Sequence, residues 1–151
     1  IKKEFGLNKY IILFPFCSTH LQIKKWPSYN KLIDLIKDKF KDEYKIILAP
    51  GPNEINMTKE INAVSILKEN RSLDISELAT LIKDSSFVVA NDTGPAHIAA
   101  HLNSNGLALF GSHTTAYKVS IERENFKAIQ VTDLNKLSPE KVFEYLTKSL
   151  N

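Results

Sequence analysis

Two hydrophobic rhythms alternate along this chain. Short apolar runs closed off by charge, proline or glycine are interleaved with stretches whose apolar residues recur every three or four positions. The first run, residues 10–15, is continuous and too short for a buried helix, so it predicts a strand. In residues 28–40, Leu32, Ile33, Leu35 and Ile36 fall at helical spacing with lysines opposite, which predicts an amphipathic helix. Residues 45–49 predict a second strand, ended by the turn Pro50-Gly51-Pro52. A second helix is expected over residues 57–68. Asp74 and Glu77 stand at capping-box spacing and open a short helix over residues 75–83. Strands follow at 86–90, 106–110 and 127–131, with helices at 95–102 and 138–150 and an irregular loop over 111–125. Strands separated by helices imply parallel pairing with right-handed crossovers. The expected fold class is therefore a three-layer α/β/α arrangement around a mostly parallel sheet of five or six strands, with a ligand site at their carboxyl ends.

Composition narrows the setting. With 151 residues, 43% of them hydrophobic, the chain can bury roughly two thirds of its unfolded surface as one domain without staples. The single Cys17 excludes an internal disulfide and suits a reducing compartment. As a residue type it reads as a small buried hydrophobe rather than a nucleophile. No apolar run approaches the roughly 20 residues that span a bilayer. The net charge of +3 is mild and spread among interleaved acids, which reads as a solvated surface, a weak preference for an anionic membrane face being the other reading; no nucleic-acid partner is expected. There is no internal repeat, and residues 1–8 read as the stub of an entry segment.

The chemistry concentrates in residues 87–102. An apolar strand turns sharply through Asn91-Asp92-Thr93-Gly94 into an alanine-rich helix with Pro95 in its first turn, where a missing N–H costs nothing. Gly94 permits close backbone approach, and the unpaired amides of a helix start favour phosphate. Asp92, Thr93 and His97 share that mouth. His97 and His101 have the i, i+4 spacing of a zinc site but lack the accompanying Glu, so His97 is assigned to the ligand mouth and His101 to the helix surface or the neighbouring loop. Neither a Gly-x-Gly-x-x-Gly turn nor a Gly-x-x-x-x-Gly-Lys-Ser/Thr loop is present, which removes a dinucleotide dehydrogenase and a P-loop ATPase. A Gly-x-Ser-x-Gly elbow is missing too. Glu54, after the second strand, is placed to accept ribose hydroxyls, though its residue type alone fits an exposed loop acid equally. No pair of carboxylates recommends itself as metal ligands.

Four segments carry a resemblance. Asp92-Thr93-Gly94-Pro95-Ala96-His97, Lys24-Lys25-Trp26-Pro27, Gly51-Pro52-Asn53-Glu54 and Leu109-Phe110-Gly111-Ser112 resemble, in order and approximate spacing, the motifs of glycosyltransferase family 9, the heptosyltransferases of lipopolysaccharide core synthesis. The resemblance runs from about Tyr10 to the last helix. Family members have two Rossmann-like domains in the GT-B arrangement, and all four motifs belong to the second. Residues 1–151 are therefore expected to be the C-terminal nucleotide-sugar-binding domain, with the acceptor domain absent; an opening Ile1 suits a fragment or processed product.

The resemblance implies an inverting transferase that takes heptose from ADP-heptose, uses no cofactor or metal, and meets a lipid-linked or oligosaccharide acceptor through the absent N-terminal domain. The implied location is cytoplasmic, at most peripheral to the inner membrane. Lys24, two residues before Trp26, is implied as a cation for the departing diphosphate, although a solvated lysine is the plainer reading. Asp92 is implied near the transferred sugar; helix capping is its other reading, and the two can coexist. Thr93, Gly94 and Ala96 are to present amides, with His97 beside them, and fixed donors of this kind lower the barrier to a leaving group that gains charge. Ser18 and Thr19 stand where the family carries small hydroxyl residues near phosphate, but Phe16-Cys17 replaces the usual Pro-Gly-Ala-type turn. Ser112, His113 and Thr114 are further candidate phosphate or sugar contacts, and Trp26 with Pro27 is assigned to packing. Two other readings stay open: a binding module without catalysis, and a related transferase with another donor such as a UDP-sugar.

Overall fold

The computed structural model describes residues 1–17, 19–114, 117 and 120–150, and of Thr19, His20 and Gln22 the backbone alone. Strands β1 (Tyr10–Phe14), β2 (Lys45–Leu48), β3 (Val64–Ser65), β4 (Phe87–Asn91), β5 (Gly106–Phe110) and β6 (Phe126–Gln130) form one sheet in the order β3-β2-β1-β4-β5-β6. Every pairing is parallel. This is the doubly wound Rossmann-like arrangement expected from the alternation of elements.

Helices cover both faces, which explains why the central strands read as unbroken apolar runs rather than alternating ones. Ile11, Leu13, Phe87 and Val89 face α1 (Tyr29–Phe40) and α4 (Pro139–Leu150) through Leu32, Ile33, Ile36, Val142 and Leu146. Tyr10, Ile12, Phe14, Val88 and Ala90 face α2 (Ile75–Lys83) and α3 (Gly94–His101). In α3 the buried side chains are Ala96, Ala99 and Ala100, small enough to seat the helix close to the sheet. The capping box of α2 forms as expected: Asp74 accepts from the Glu77 amide and Glu77 reaches back to the Asp74 amide. Leu7 is buried in the core, with Ile1 and Phe5 packed against it, so residues 1–8 are an integral part of the fold rather than a loose stub.

One expected element is wrong. Residues 57–68 do not form a helix. They split into a 3-10 helix (Ile55–Glu60) and the edge strand β3. Asn30 of α1 takes the Glu60 carbonyl at 2.8 Å and the Asn62 amide at 2.9 Å, diverting groups that a continuing helix would need. Val64 and Ser65 then pair with Ile47 and Leu48, and Ile66, 3% exposed, gives its N–H to the Leu48 carbonyl. Sheet pairing and burial outweigh a weak local helical pattern. Among the described residues no helix is long and apolar enough to cross a membrane.

Candidate functional site

β1 lies between β2, reached by a crossover on one side, and β4 on the other. The loops leaving β1 and β4 therefore diverge and open a crevice at the carboxyl ends, where open α/β sheets bind ligands. Asn91, the last residue of β4 and wholly buried, ties the two loops together. Its Nδ2 donates to the Pro15 carbonyl at 3.0 Å and its Oδ1 accepts from the Tyr29 hydroxyl at 3.0 Å. Burial pushes the Tyr29 phenol well above its ordinary range, so it stays a donor. The sequence reading gave Asn91 and Tyr29 no role. An amide at the end of an apolar run was the available signal, because a buried polar side chain requires partners.

A cleft of about 190 Å³ opens beside this tie. Its walls are the end of β1 with Pro15 and Phe16, the end of β2 with Pro50 and Gly51, Leu73 and Leu78 around α2, and Thr93 with Pro95. Glu54 is on the rim and accepts the Gly51 amide at 2.8 Å, so its carboxylate is braced by its own turn. An ideal Cβ at Gly94 would meet nothing within 4 Å, so the space over the start of α3 is open.

Asp92 is 5% exposed and gathers three basic side chains. His113 Nε2 lies 2.9 Å and Lys24 Nζ 3.7 Å from its Oδ2, and His97 Nε2 lies 3.5 Å from its Oδ1. Helix capping is not its task, because Thr93 is the N-cap of α3 and makes no side-chain cap bond. The Thr93 hydroxyl instead leans on the Asn91 carbonyl at 3.4 Å. One expected donor is removed: the Ala96 amide is taken by the Thr93 carbonyl at 3.1 Å. Pro95 has no N–H, so of the expected donors the Thr93 and Gly94 amides are left.

Lys24 ends a 3-10 segment (Thr19–Lys24) that carries the chain from the end of β1 to Trp26. Trp26 packs as assigned, edge-on to Tyr29 at 5.0 Å, with its Nε1 donating to the Leu137 carbonyl at 2.9 Å. Thr19 starts the 3-10 segment through its backbone, and Ser18 lies outside the described residues. Ser112 is exposed and lines a second hollow with Lys25, Thr132 and Asp133, apart from the cleft that holds Glu54 and Thr93. His101 is exposed at the end of α3, while His97 turns to Asp92, so the i, i+4 pair does not converge. Cys17 is buried with Sγ on the Leu21 carbonyl at 3.3 Å, and burial pushes its thiol up, away from the reactive thiolate.

The apolar cleft has a braced carboxylate on one side and the open start of α3 on the other, next to the Asp92–Lys24 pair. That arrangement can hold a ligand with a flat apolar end, hydroxyls in the middle and an anionic group beyond. The family model described as glycosyltransferase family 9 (heptosyltransferase) matches residues 2–144. The chain belongs to this family. The match takes in each site residue named above, from Lys24 to His113.

Similarity to individual members of glycosyltransferase family 9 is more distant. Lipopolysaccharide heptosyltransferase 1 of Campylobacter coli is 29% identical over an alignment of 133 residues that covers 81% of this chain and 38% of that protein. Among solved structures, Escherichia coli ADP-heptose lipopolysaccharide heptosyltransferase II superposes with a TM-score of 0.78 at 21% identity, over 99% of this chain and 49% of that one. An E. coli heptosyltransferase solved with ADP gives 0.77 at 20% identity, over 94% and 44%. At such identities the likeness speaks for the fold. This chain thus spans less than half the length of the relatives it matches.

Proposed function

We propose that this chain is the donor-binding domain of an inverting glycosyltransferase that transfers heptose from ADP-heptose to lipopolysaccharide core. The observation that carries the reading is the pairing of the apolar cleft with the open start of α3 at the sheet's switch point. The adenine lies in the cleft, Glu54 receives the ribose hydroxyls, and the diphosphate meets Thr93, Gly94 and Lys24. Support for ADP as the nucleotide comes from the relative solved with ADP and from a second named for ADP-heptose.

Asp92 is acceptor-only and would repel phosphate, so it addresses hydroxyls of the sugar. As the sugar–phosphate bond breaks, charge grows on the diphosphate, and amides and a lysine already aimed at it lower the barrier without reorganising. No metal is required in this scheme, so chelation with EDTA is expected to leave donor binding unchanged. The acceptor and the general base belong to a further N-terminal domain, and the reaction proceeds at the cytoplasmic side of the membrane.

Calorimetric titration of ADP, an ADP-sugar and UDP into the chain tests the reading. ADP and the ADP-sugar are expected to bind and UDP to bind more weakly; preference for UDP would point to another donor. The chain alone is expected to bind nucleotide without turnover, and robust transfer by it would remove the need for a second domain.

A further inference from the structure

His113 occupies a position at the site that donor binding, as described, does not use. Its ring lies over Phe110 with centroids 5.8 Å apart and planes 10° from parallel, and its side chain is 9% exposed. Phe110 is itself wholly buried in β5, so the imidazole rests on a fixed platform. Nε2 is 2.9 Å from Asp92 Oδ2, while Nδ1 is buried with no hydrogen-bond partner among the described residues. An ionised carboxylate only accepts, so Nε2 carries the proton of this bond. A proton on Nδ1 would be buried with nothing to receive it.

Lys24 addresses the same oxygen differently. At 3.7 Å it is beyond a direct hydrogen bond, and its side chain is 24% exposed on a flexible four-carbon stem. His97 is more exposed, at 40%, and lies 3.5 Å from Oδ1. Asp92 therefore has one short, rigid partner and two long, movable ones. A nucleoside diphosphate arriving at the start of α3 competes with Asp92 for Lys24. A nearly buried carboxylate resists losing a cation unless another donor stays with it.

We propose that His113 is a positioning residue that retains Asp92 when Lys24 turns to the donor's diphosphate. The inference rests on the donor-binding reading above and deepens it. With Oδ2 held by Nε2–H, Oδ1 is presented towards the sugar hydroxyls and the lysine is shared instead of sequestered. His113 thus acts on the ligand through Lys24 and Asp92, without touching phosphate itself.

The test is titration of ADP into wild type, His113→Phe and His113→Gln, each with Lys24 present and in a Lys24→Ala background. His113→Phe keeps a ring on Phe110 and removes the donor, so ADP affinity is expected to fall about tenfold, the scale of a lost hydrogen bond to a charged group. Glutamine donates from nearly the position of imidazole Nε2 and is expected to restore most of the affinity. In the Lys24→Ala background His113→Phe is expected to change nothing further, because there is no cation to release. Undiminished binding by a folded His113→Phe variant, or an equal loss in both backgrounds, overturns the proposal and leaves the donor seat standing. Wild type that fails to bind ADP overturns the donor reading and this proposal with it. Independently of any ligand, the imidazole 15N spectrum of the wild-type chain must show His113 protonated at Nε2. The Nδ1-protonated form would overturn the assignment.

Discussion

Gly94 and Asp92 are the residues at which the site can be tested most cleanly. A Cβ at Gly94 would meet no protein atom within 4 Å, so a substitution there starts in open space. Gly94→Val is therefore expected to fold normally and to abolish ADP binding, because its branched side chain fills the approach to the helix amides; calorimetry beside a thermal melt separates the two effects. Undiminished ADP binding by the folded variant would place the ligand elsewhere. Asp92→Asn should behave in the opposite way. It frees Lys24 from its pairing partner, so ADP affinity is expected to hold or rise severalfold, while affinity for the ADP-sugar over ADP is lost. A parallel fall for both ligands would assign Asp92 to the diphosphate. Most of these residues were visible in the sequence, since Asp92, Thr93, Gly94 and His97 are neighbours along the chain. The bond from His113 was not, because twenty-one positions separate it from Asp92 and only the β4–β5 pairing brings their loops together.

At the scale of elements, the start of α2 is held by charge as well as by its cap. Glu77 receives Lys68 at 2.8 Å and Arg71 at 3.3 Å in addition to the Asp74 amide. The hydrogen bond from Lys68, then that from the Asp74 amide, hold its carboxyl down at about 2 against an ordinary 4.5. A depressed acid stabilises the fold where it is ionised in both states, and that contribution is lost as pH falls towards the folded value. Glu77→Gln is expected to lower the melting temperature at neutral pH, the gap to wild type narrowing below about pH 4.5 and closing near pH 2. A gap independent of pH would mean that the cap geometry alone matters. In β5 the constraint is steric. A Cβ at Gly106 would lie 2.8 Å from both the Phe126 ring and the Val88 carbonyl, and the latter is backbone of the adjoining strand. Gly106→Ala is expected to cost about 1–3 kcal/mol in chemical denaturation, as overpacking does. A neutral result would mean that both neighbours of β5, the Val88 backbone of β4 and the Phe126 ring of β6, give way readily.

For the whole molecule, the loop that carries Lys24 is secured across the fold rather than locally. Trp26 is buried against Tyr29 of α1 and bonded to the Leu137 carbonyl just before α4, 111 residues away in sequence. Trp26→Phe removes that donor and leaves a buried carbonyl unpaired, so a loss of about 1–3 kcal/mol is expected in denaturant titration. Because Lys24 lies two residues before Trp26, ADP affinity is expected to fall with it even where the variant remains folded. Affinity that stays constant would show the Lys24 loop to be held by its own 3-10 segment instead.

The sequence by itself determined the layering and the strand–turn–helix mouth, because continuous apolar runs, helical spacing, the Asp74–Glu77 cap and the Asn91–Gly94 turn act over a few residues. Family membership was legible for the same reason, being carried by short motifs. Tertiary structure alone decided what depends on partners distant along the chain. It turned residues 64–65 into an edge strand by offering β2 and Asn30 as partners. It moved Ser112 to a second hollow and brought His113 to Asp92. Local propensity fixes which groups a segment offers; which carboxylate, amide or ring they meet is fixed when the sheet pairs and its loops converge.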